Sequence, residues 1–275
     1  MKEIVAIQGI EGSYHHQTAQ EYFDRDIQII PCDSFDKVAQ KLLNQEASMG
    51  IMAIENTIAG AILPNYNLID KHQLYIVGEH YIDIQHQLMA IQGQHLEDLT
   101  EVHSHYMALL QCKDFFVQYP HIKLVEDSDT ASTARRIKQG NLRGIGAIAS
   151  VTAAHLFGLE ILATNIQTMK NNATRFVILQ KEKPLLYQKT INKASIKFQL
   201  DHKRGSLATV LNVISDCDLN MTKIQSLPVV HQPWKYAFFV DVTFDKYTNF
   251  QKVIQLLDIM AEDIKILGEY QNQLD

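Results

Sequence analysis

At 275 residues the chain is long for one ordinary domain and short for three, which sets two as the starting expectation. With 46% apolar and 20% charged residues it has the composition of a globular protein able to bury a sizeable core. A formal net charge of −6 with no basic cluster argues against a nucleic-acid surface, and no 18-residue apolar run is present to span a membrane.

The elements begin with Glu3–Gln8, a short apolar run that reads as a buried strand, followed by the turn Gly9-Ile-Glu-Gly12 and a helix-like His16–Phe23. Ile27–Cys32 reads as a second strand, and Ser34 is placed to cap a helix over Phe35–Asn44. Ser48–Glu55 is a third strand that ends at Asn56-Thr-Ile-Ala-Gly60, with no strong helical spacing after it. This β-α-β-α-β order predicts a mainly parallel sheet flanked by helices. Leu74–Ile91 is strand-like almost throughout and suits a crossover to a second sheet. The alternation then resumes with a strand near Glu101–His103, a helix Ser104–Val117, a strand His121–Glu126 and a helix Thr130–Gln139. A strand Gly144–Ala149 leads to a helix Val151–Phe157 closed by Gly158, and Leu159–Ala163 and Thr174–Gln180 read as further strands. Two α/β lobes within residues 1–182 leave a cleft between them.

Residues 183–193, with Lys, Pro184 and mixed polarity, read as a linker. Region 194–275 is more legible: strand Ala194–Leu200, helix Ser206–Cys217, strands Asn220–Val229 and Lys235–Phe244, helix Thr248–Ala261 and strand Asp263–Gly268. This βαββαβ order is the ferredoxin-like arrangement. The three cysteines, Cys32, Cys112 and Cys217, are odd in number and lack metal or disulfide spacing. The N-terminal apolar run is too short for a signal peptide. A reduced, soluble, cytoplasmic protein is expected.

No nucleotide, metal-protease, serine-hydrolase or calcium-loop motif is present, and Gly9-x-x-Gly12 lacks the full dinucleotide fingerprint. No cofactor and no metal are therefore expected. What remains is a set of small polar residues where strands hand over to helices: Ser13, Asn56, Thr57, Ser104, Thr130 and Ser150. Helix N-termini suit carboxylates, although Ser and Thr there also serve as plain caps. Arg175 lies in the apolar run Ala173-Thr-Arg-Phe-Val-Ile-Leu179, where its planar fork needs a carboxylate, either that of a ligand or an internal one such as Glu55. Twelve histidines are scattered without metal spacing, and His15-His16 beside the glycine turn is the one suggestive pair.

Taken together, these motifs make the chain resemble the prephenate dehydratases that carry a C-terminal ACT regulatory domain, over residues 4 to 270. The family's glycine turn GPxGS/TF/YS is matched by Gly9-Ile-Glu-Gly-Ser-Tyr-His15, and its IENSxxG by Ile54-Glu-Asn-Thr-Ile-Ala-Gly60. SHPQALxQC is matched by Ser104-His-Tyr-Met-Ala-Leu-Leu-Gln-Cys112, without the central Pro-Gln. DTAxAA is approximated by Asp129-Thr-Ala-Ser-Thr-Ala134, and NxTRF is intact as Asn172-Ala-Thr-Arg-Phe176. The resemblance implies a two-lobed catalytic domain like the type II periplasmic binding proteins, with the active site in the interlobe cleft. It also implies prephenate as substrate and phenylpyruvate, carbon dioxide and water as products, on the route to L-phenylalanine.

Loss of carbon dioxide and hydroxide makes the prephenate ring aromatic, so the drive is intrinsic, and positioning with preorganised polarity is enough for catalysis. On the resemblance, Thr174 donates to the leaving hydroxyl. Arg175 holds a substrate carboxylate or the loop that does so, and Phe176 faces the ring. Ser13, Asn56, Thr57, Ser104, Gln111 and Thr130 line the cleft. The seven-residue spacing of Ser104 and Gln111 predicts two turns along one helical face. A histidine at 15 or 16, or water, stays open as the proton donor.

In the C-terminal region the resemblance assigns phenylalanine as effector, with Gly205, Ser206, Leu207, Asn220 and Ser226 binding it. Arg204-Gly-Ser-Leu-Ala208 stands at the family's GAL element and Asn220-Met-Thr-Lys-Ile224 at NLTKI. The family's ESRP becomes Gln225-Ser-Leu-Pro228, which removes two charged residues. A homodimer or homotetramer is expected. Arogenate dehydratase and a non-catalytic amino-acid sensor are the alternatives.

Overall fold

The computed structural model describes residues 2–23, 26–185, 190–201, 203–229 and 235–274; residues 186–189 of the expected linker lie outside the described residues. In chain order the elements are β1 (Glu3–Gln8), α1 (Tyr14–Phe23), β2 (Ile27–Cys32), α2 (Phe35–Leu43), β3 (Met49–Asn56), β4 (Gly60–Ala61), α3 (Leu63–Lys71) and β5 (Tyr75–Asp83). They continue with β6 (Gln87–Ala90), β7 (Glu101–Ser104), α4 (Tyr106–Gln111), β8 (Lys123–Glu126), α5 (Thr130–Gln139), β9 (Ile145–Ala149), α6 (Val151–Phe157), β10 (Glu160–Ala163) and β11 (Ala173–Gln180). The last are β12 (Lys193–Leu200), α7 (Ser206–Asp216), β13 (Asn220–Pro228), β14 (Tyr236–Thr243), α8 (Tyr247–Met260) and β15 (Glu262–Tyr270). No helix among the described residues is long and apolar enough to cross a membrane.

Local chemistry explains most of these boundaries. Ser34 Oγ accepts from Lys37 N at 3.3 Å and starts α2, and Ser150 Oγ accepts from Ala153 N at 3.0 Å and starts α6. Gly158 ends α6 in the left-handed conformation, with φ 60°. Two expectations change. Helix α4 starts at Tyr106, not Ser104, because Ser104 still belongs to β7 and His105 Nδ1 accepts from Met107 N before the first turn. Ser104 and Gln111 therefore share no helical face. Helix α3 forms where the spacing showed none; its buried residues are Asn65, Tyr66 and Ile69, and the first of these is polar.

The fold divides into two units, residues 1–60 with 81–176, and residues 61–80 with 177–275. Residues 61–80 and 177–182, which lie in the sequence-defined first region, thus pack with the C-terminal segment.

The first unit holds two sheets. In one, β1 lies between β2 and β3 with all three parallel, and Val5, Ala6 and Ile7 at its centre are fully buried. The other has the order β10-β6-β9-β7-β8 and is mixed, since β6 runs antiparallel to β9 and β10 while β7 is parallel to β8 and β9. The unbroken apolar run in β6 is buried on both faces: Leu88 and Ala90 pack with α4, and Met89 and Ile91 with α5 and α6. The turn after β1 rests on α6. Gly12 has φ +90°, a Cβ there would lie 3.2 Å from Ala153 Cα, and Ser150 Oγ donates to Gly12 O at 2.7 Å.

In the second unit β13-β14-β12-β15 form an antiparallel sheet in the ferredoxin-like strand order. Ile196 and Phe198 of β12 pack with Val210 and Ile214 of α7 and with Phe250, Val253 and Leu257 of α8. The other face of β12 carries Lys193, Ser195, Lys197 and Gln199, which are buried too. Gly268 of β15 lets β5 approach: a Cβ there would fall 2.3 Å from Ile76 O.

Candidate active site

The site in the first unit starts from the backbone. Asn56 ends β3, and its Oδ1 accepts from Ile58 N at 2.9 Å and Ala59 N at 2.8 Å, which fixes the orientation of the amide. Its Nδ2 must then donate, and it does so to Asn172 Oδ1 at 2.7 Å and Thr174 Oγ1 at 2.9 Å. Asn172, fully buried, passes the same polarity on, donating from Nδ2 to Gln111 Oε1 at 3.1 Å. That oxygen also lies 2.9 Å from His86 Nε2, which therefore carries the ring proton. His86 Nδ1, left as an acceptor, faces the Tyr14 hydroxyl at 3.2 Å, and this hydroxyl donates to Gln85 O at 2.9 Å. Thr57 completes the junction: its N donates to Ala173 O at 2.9 Å, and its Oγ1 accepts from Ala173 N at 3.0 Å.

This chain of neutral groups leaves two donors at its ends. Thr174 Oγ1 is occupied as an acceptor by Asn56, so its own proton points elsewhere; the residue is 7% exposed. The Gln111 oxygen is occupied twice, so its NH2 is turned to the cavity that Gln111 helps line. That cavity, about 360 Å3, is also lined by Ile58, Met107, Leu110 and Met169 and by the polar Lys113, Asp114 and Thr168. Burial lowers the His86 pKa, against the Gln111 hydrogen bond that raises it, and burial raises that of the Tyr14 phenol. The loop before β11 is tied in as well, with Gln167 Oε1 accepting from His86 N at 3.0 Å and Thr168 N donating to Gln111 O at 2.9 Å.

Of the sequence-expected residues, Asn56, Thr57, Gln111 and Thr174 thus meet in one network. Arg175, 6% exposed, follows Thr174 on β11, and strand alternation turns it to the opposite face. Ser104 is fully buried, with its hydroxyl donating to Ile148 O at 2.7 Å. Ser13 closes the first turn of α1, accepting from His16 N at 3.3 Å. Thr130 is the first residue of α5, next to the cap Asp129. Phe176 is 1% exposed and lies edge-on to His15, ring centroids 5.0 Å apart. Burial pushes the His15 pKa down to about 3 and that of His16 below its usual value, so His15 is a neutral imidazole at neutral pH. Among the described residues no group of three or more His, Cys, Asp or Glu is placed to hold a metal.

Tyr14, His86, Asn172 and Gln167 are the members that sequence reasoning missed. Asn172 stands inside the quoted Asn172-Ala-Thr-Arg-Phe176, so its signal was available. His86 interrupts a strand-like run, and a polar residue at such a break is the signal it gave.

In the second unit, Gly205 has φ +84° and precedes α7, while Ser206 and Leu207 line a cavity of about 150 Å3 with Tyr236 and Phe238. Ser226 pairs with Phe238 across β13 and β14; Asn220 pairs with Thr243 at the far end of the same strands.

The fold and the site define a class: a mixed α/β protein with a neutral, hydrogen-bond-donating site beside a small cavity. Comparison with known proteins makes the class specific. The family profile of prephenate dehydratase matches residues 5–184. Arogenate dehydratase/prephenate dehydratase 2 of Arabidopsis thaliana, a chloroplastic protein, is 33% identical over 276 residues, covering 97% of this chain and 72% of its own. The structure of GqqA, described as a novel type of quorum quenching acylase, superposes with a TM-score of 0.90 at 26% identity, covering 99% of both chains. The prephenate dehydratase of Arthrobacter aurescens in complex with L-Phe shares the fold, with a TM-score of 0.86 at 22% identity over 98% of this chain and 90% of its own. The chain belongs to the prephenate dehydratase family. It is an enzyme, a carbon–oxygen lyase.

Proposed function

We propose that the chain converts prephenate to phenylpyruvate, with loss of carbon dioxide and water, in the cytoplasmic synthesis of L-phenylalanine. Residues 1–182 form the catalytic region, and residues 194–275 form an ACT module through which phenylalanine inhibits a homodimer or homotetramer. The Asn56–Thr174 hydrogen bond carries the reading. By occupying a lone pair of Thr174 Oγ1, Asn56 directs the hydroxyl proton outward, where it meets the departing ring hydroxyl. A threonine hydroxyl is too weak an acid to give up its proton alone, so it acts as a hydrogen-bond donor that stabilises the leaving oxygen, with water taking part in the transfer. The Gln111 NH2 and Lys113 supply donors for carboxylate oxygens from the cavity side. Arg175, on the opposite face of β11, supports the strand that presents Thr174. Ser13, Thr57 and Thr130 shape the cleft walls, Ser104 ties β7 to β9 behind them, and Phe176 supports the ring side of the pocket from beneath.

Neutral donors suit this reaction. A cation clamped on the ring carboxylate stabilises the group that must leave as carbon dioxide, whereas a hydrogen bond to the leaving hydroxyl gains strength as negative charge develops there. Arogenate presents the same ring chemistry with an ammonium in place of the keto group, and the relative from Arabidopsis thaliana bears both names. The test is to incubate purified protein with prephenate and with arogenate and follow phenylpyruvate and phenylalanine. A higher kcat/KM on prephenate supports the reading; turnover of arogenate alone replaces the substrate; turnover of neither leaves the non-catalytic amino-acid sensor.

The apolar side of the cavity favours a second reading, amide hydrolysis as in the similar acylase. Against it, the bonded neighbour of Thr174 Oγ1 is the Asn56 amide, which is no base. Release of a fatty acid from an N-acyl amide in the same assay would favour it. For the effector, phenylalanine is expected to raise the thermal midpoint of the full chain, because a ligand of the folded state stabilises it. An unchanged midpoint at saturating phenylalanine removes the regulatory part of the reading.

A further inference from the structure

We propose, on the dehydratase reading above, that His86 is a positioning residue: its Nε2–H holds the side-chain oxygen of Gln111 and so keeps the Gln111 NH2 turned toward the substrate cavity. His86 is 3% exposed and is not part of the cavity lining, whereas Gln111 is half-buried and lines it. Any influence of His86 on the substrate therefore passes through Gln111.

Two donors converge on Gln111 Oε1. The His86 bond is the shorter, 2.9 Å against 3.1 Å from Asn172, and Asn172 also serves as the acceptor for Asn56. Residue and ring are held separately. The backbone N of His86 donates to Gln167 Oε1, and its ring stands edge-on to the Tyr14 ring with centroids 6.0 Å apart. Tyr14 comes from α1, which packs on β1, β2 and β3, and Gln111 from the end of α4, which packs on β7, β8 and β9, so the imidazole lies between helices of the two layers of the first unit.

The polarity leaves one arrangement. Backbone N–H groups of Ile58 and Ala59 fix Asn56, which fixes Asn172, which makes Gln111 Oε1 an acceptor. An Nδ1–H imidazole would set the bare Nε2 lone pair against that oxygen. A flipped Gln111 amide would set NH2 against NH2 at Asn172. With His86 present, both lone pairs of the Gln111 oxygen are used, and the NH2 is presented already oriented. Without it, only the longer bond from Asn172 remains, and the amide is held less firmly in that orientation.

The experiment measures kcat and KM for prephenate in H86L, H86Q, H86N, Q111A and H86L/Q111A. The glutamine side chain of H86Q reaches the position of the imidazole Nε2 with an N–H, and the shorter H86N does not. We expect H86L and H86N to lose about tenfold in kcat with KM within about threefold, and H86Q to stay within about threefold of the wild type in kcat. H86L/Q111A is expected to be no slower than Q111A, because both changes act on one group. Wild-type kcat in H86L, equal rates in H86Q and H86N, or losses that multiply in the double variant would overturn the proposal. If H86L does not fold, the contrast between H86Q and H86N decides. A wild type that makes no phenylpyruvate fails the dehydratase reading instead. The hydrogen bond is then read independently from the 15N shifts of His86, where an Nε2–H tautomer that loses its preference in Q111A is expected, and an Nδ1–H tautomer in the wild type overturns the bond.

Discussion

The two units bury polar groups in opposite ways. In the first, Asn56, Gln111, Asn172, Thr174 and His86 form a chain without a formal charge, and each bond in it fixes the direction of the next. In the second, the polar face of β12 is fastened by charges. Lys193 Nζ lies 2.8 and 3.0 Å from the carboxylate oxygens of Glu79, and Lys197 Nζ lies 2.6 Å from Asp70 and 2.7 Å from Asp263. Ser195 Oγ donates to Asp241 at 2.5 Å. Buried ions are costly and tolerate only partners of matching charge, so they fix one packing of a sheet. Neutral donors leave hydrogen-bonding capacity that an incoming substrate can use. Charge fastens the β12 face in the one unit; in the other, the network that reaches Thr174 and Gln111 is neutral.

The largest effect expected from breaking this contrast is on stability. Lys193→Met removes the ammonium facing Glu79, both groups being essentially buried, and should cost about 3–5 kcal/mol in urea unfolding. Turnover per folded molecule should change by less than about threefold. A K193M protein of unaltered stability but low kcat would reverse the assignment of the two regions.

A smaller effect sharpens the neutral side. The His15 pKa falls from 6.5 to about 3 on burial, and its Nε2 is buried without a hydrogen-bond partner. A lowered histidine pKa means that the folded state prefers the uncharged ring. Its contribution to stability is complete above the unfolded value of 6.5 and is lost as pH falls toward 3. Between pH 6.5 and pH 5 the loss is about 1.5 kcal/mol. His15→Phe, between Phe35 and Phe176, should remove that part of the acid slope in urea midpoints taken at the two pH values. An unchanged slope would show that His15 is not a buried neutral group.

Where a single residue type decides local geometry, the sequence was enough. Ser34, Ser150 and Gly158 marked helix ends that the structure keeps, and the strand expected over Ala194–Leu200 is β12. What stayed hidden depends on long-range meetings. His86 and Gln111 are 25 residues apart, and Asn56 and Thr174 are 118 apart, so no local pattern announces either pair. Helix α3 was hidden because the buried side of its nine residues includes Asn65, which breaks the apolar spacing. Ser104 looked like a helix start because serine commonly caps, but its hydroxyl is used by Ile148 O inside the sheet.

The central claim, that Asn56 aims the Thr174 hydroxyl at the leaving group, is tested most directly by kcat and KM for prephenate in Thr174→Val and Thr174→Ser. Valine keeps the shape without the hydroxyl, and serine keeps the hydroxyl without the methyl. The account predicts a loss of about 100-fold or more in kcat for T174V, with KM within about threefold, and no more than about a tenfold loss for T174S. A folded T174V that turns prephenate over at the wild-type rate would contradict it.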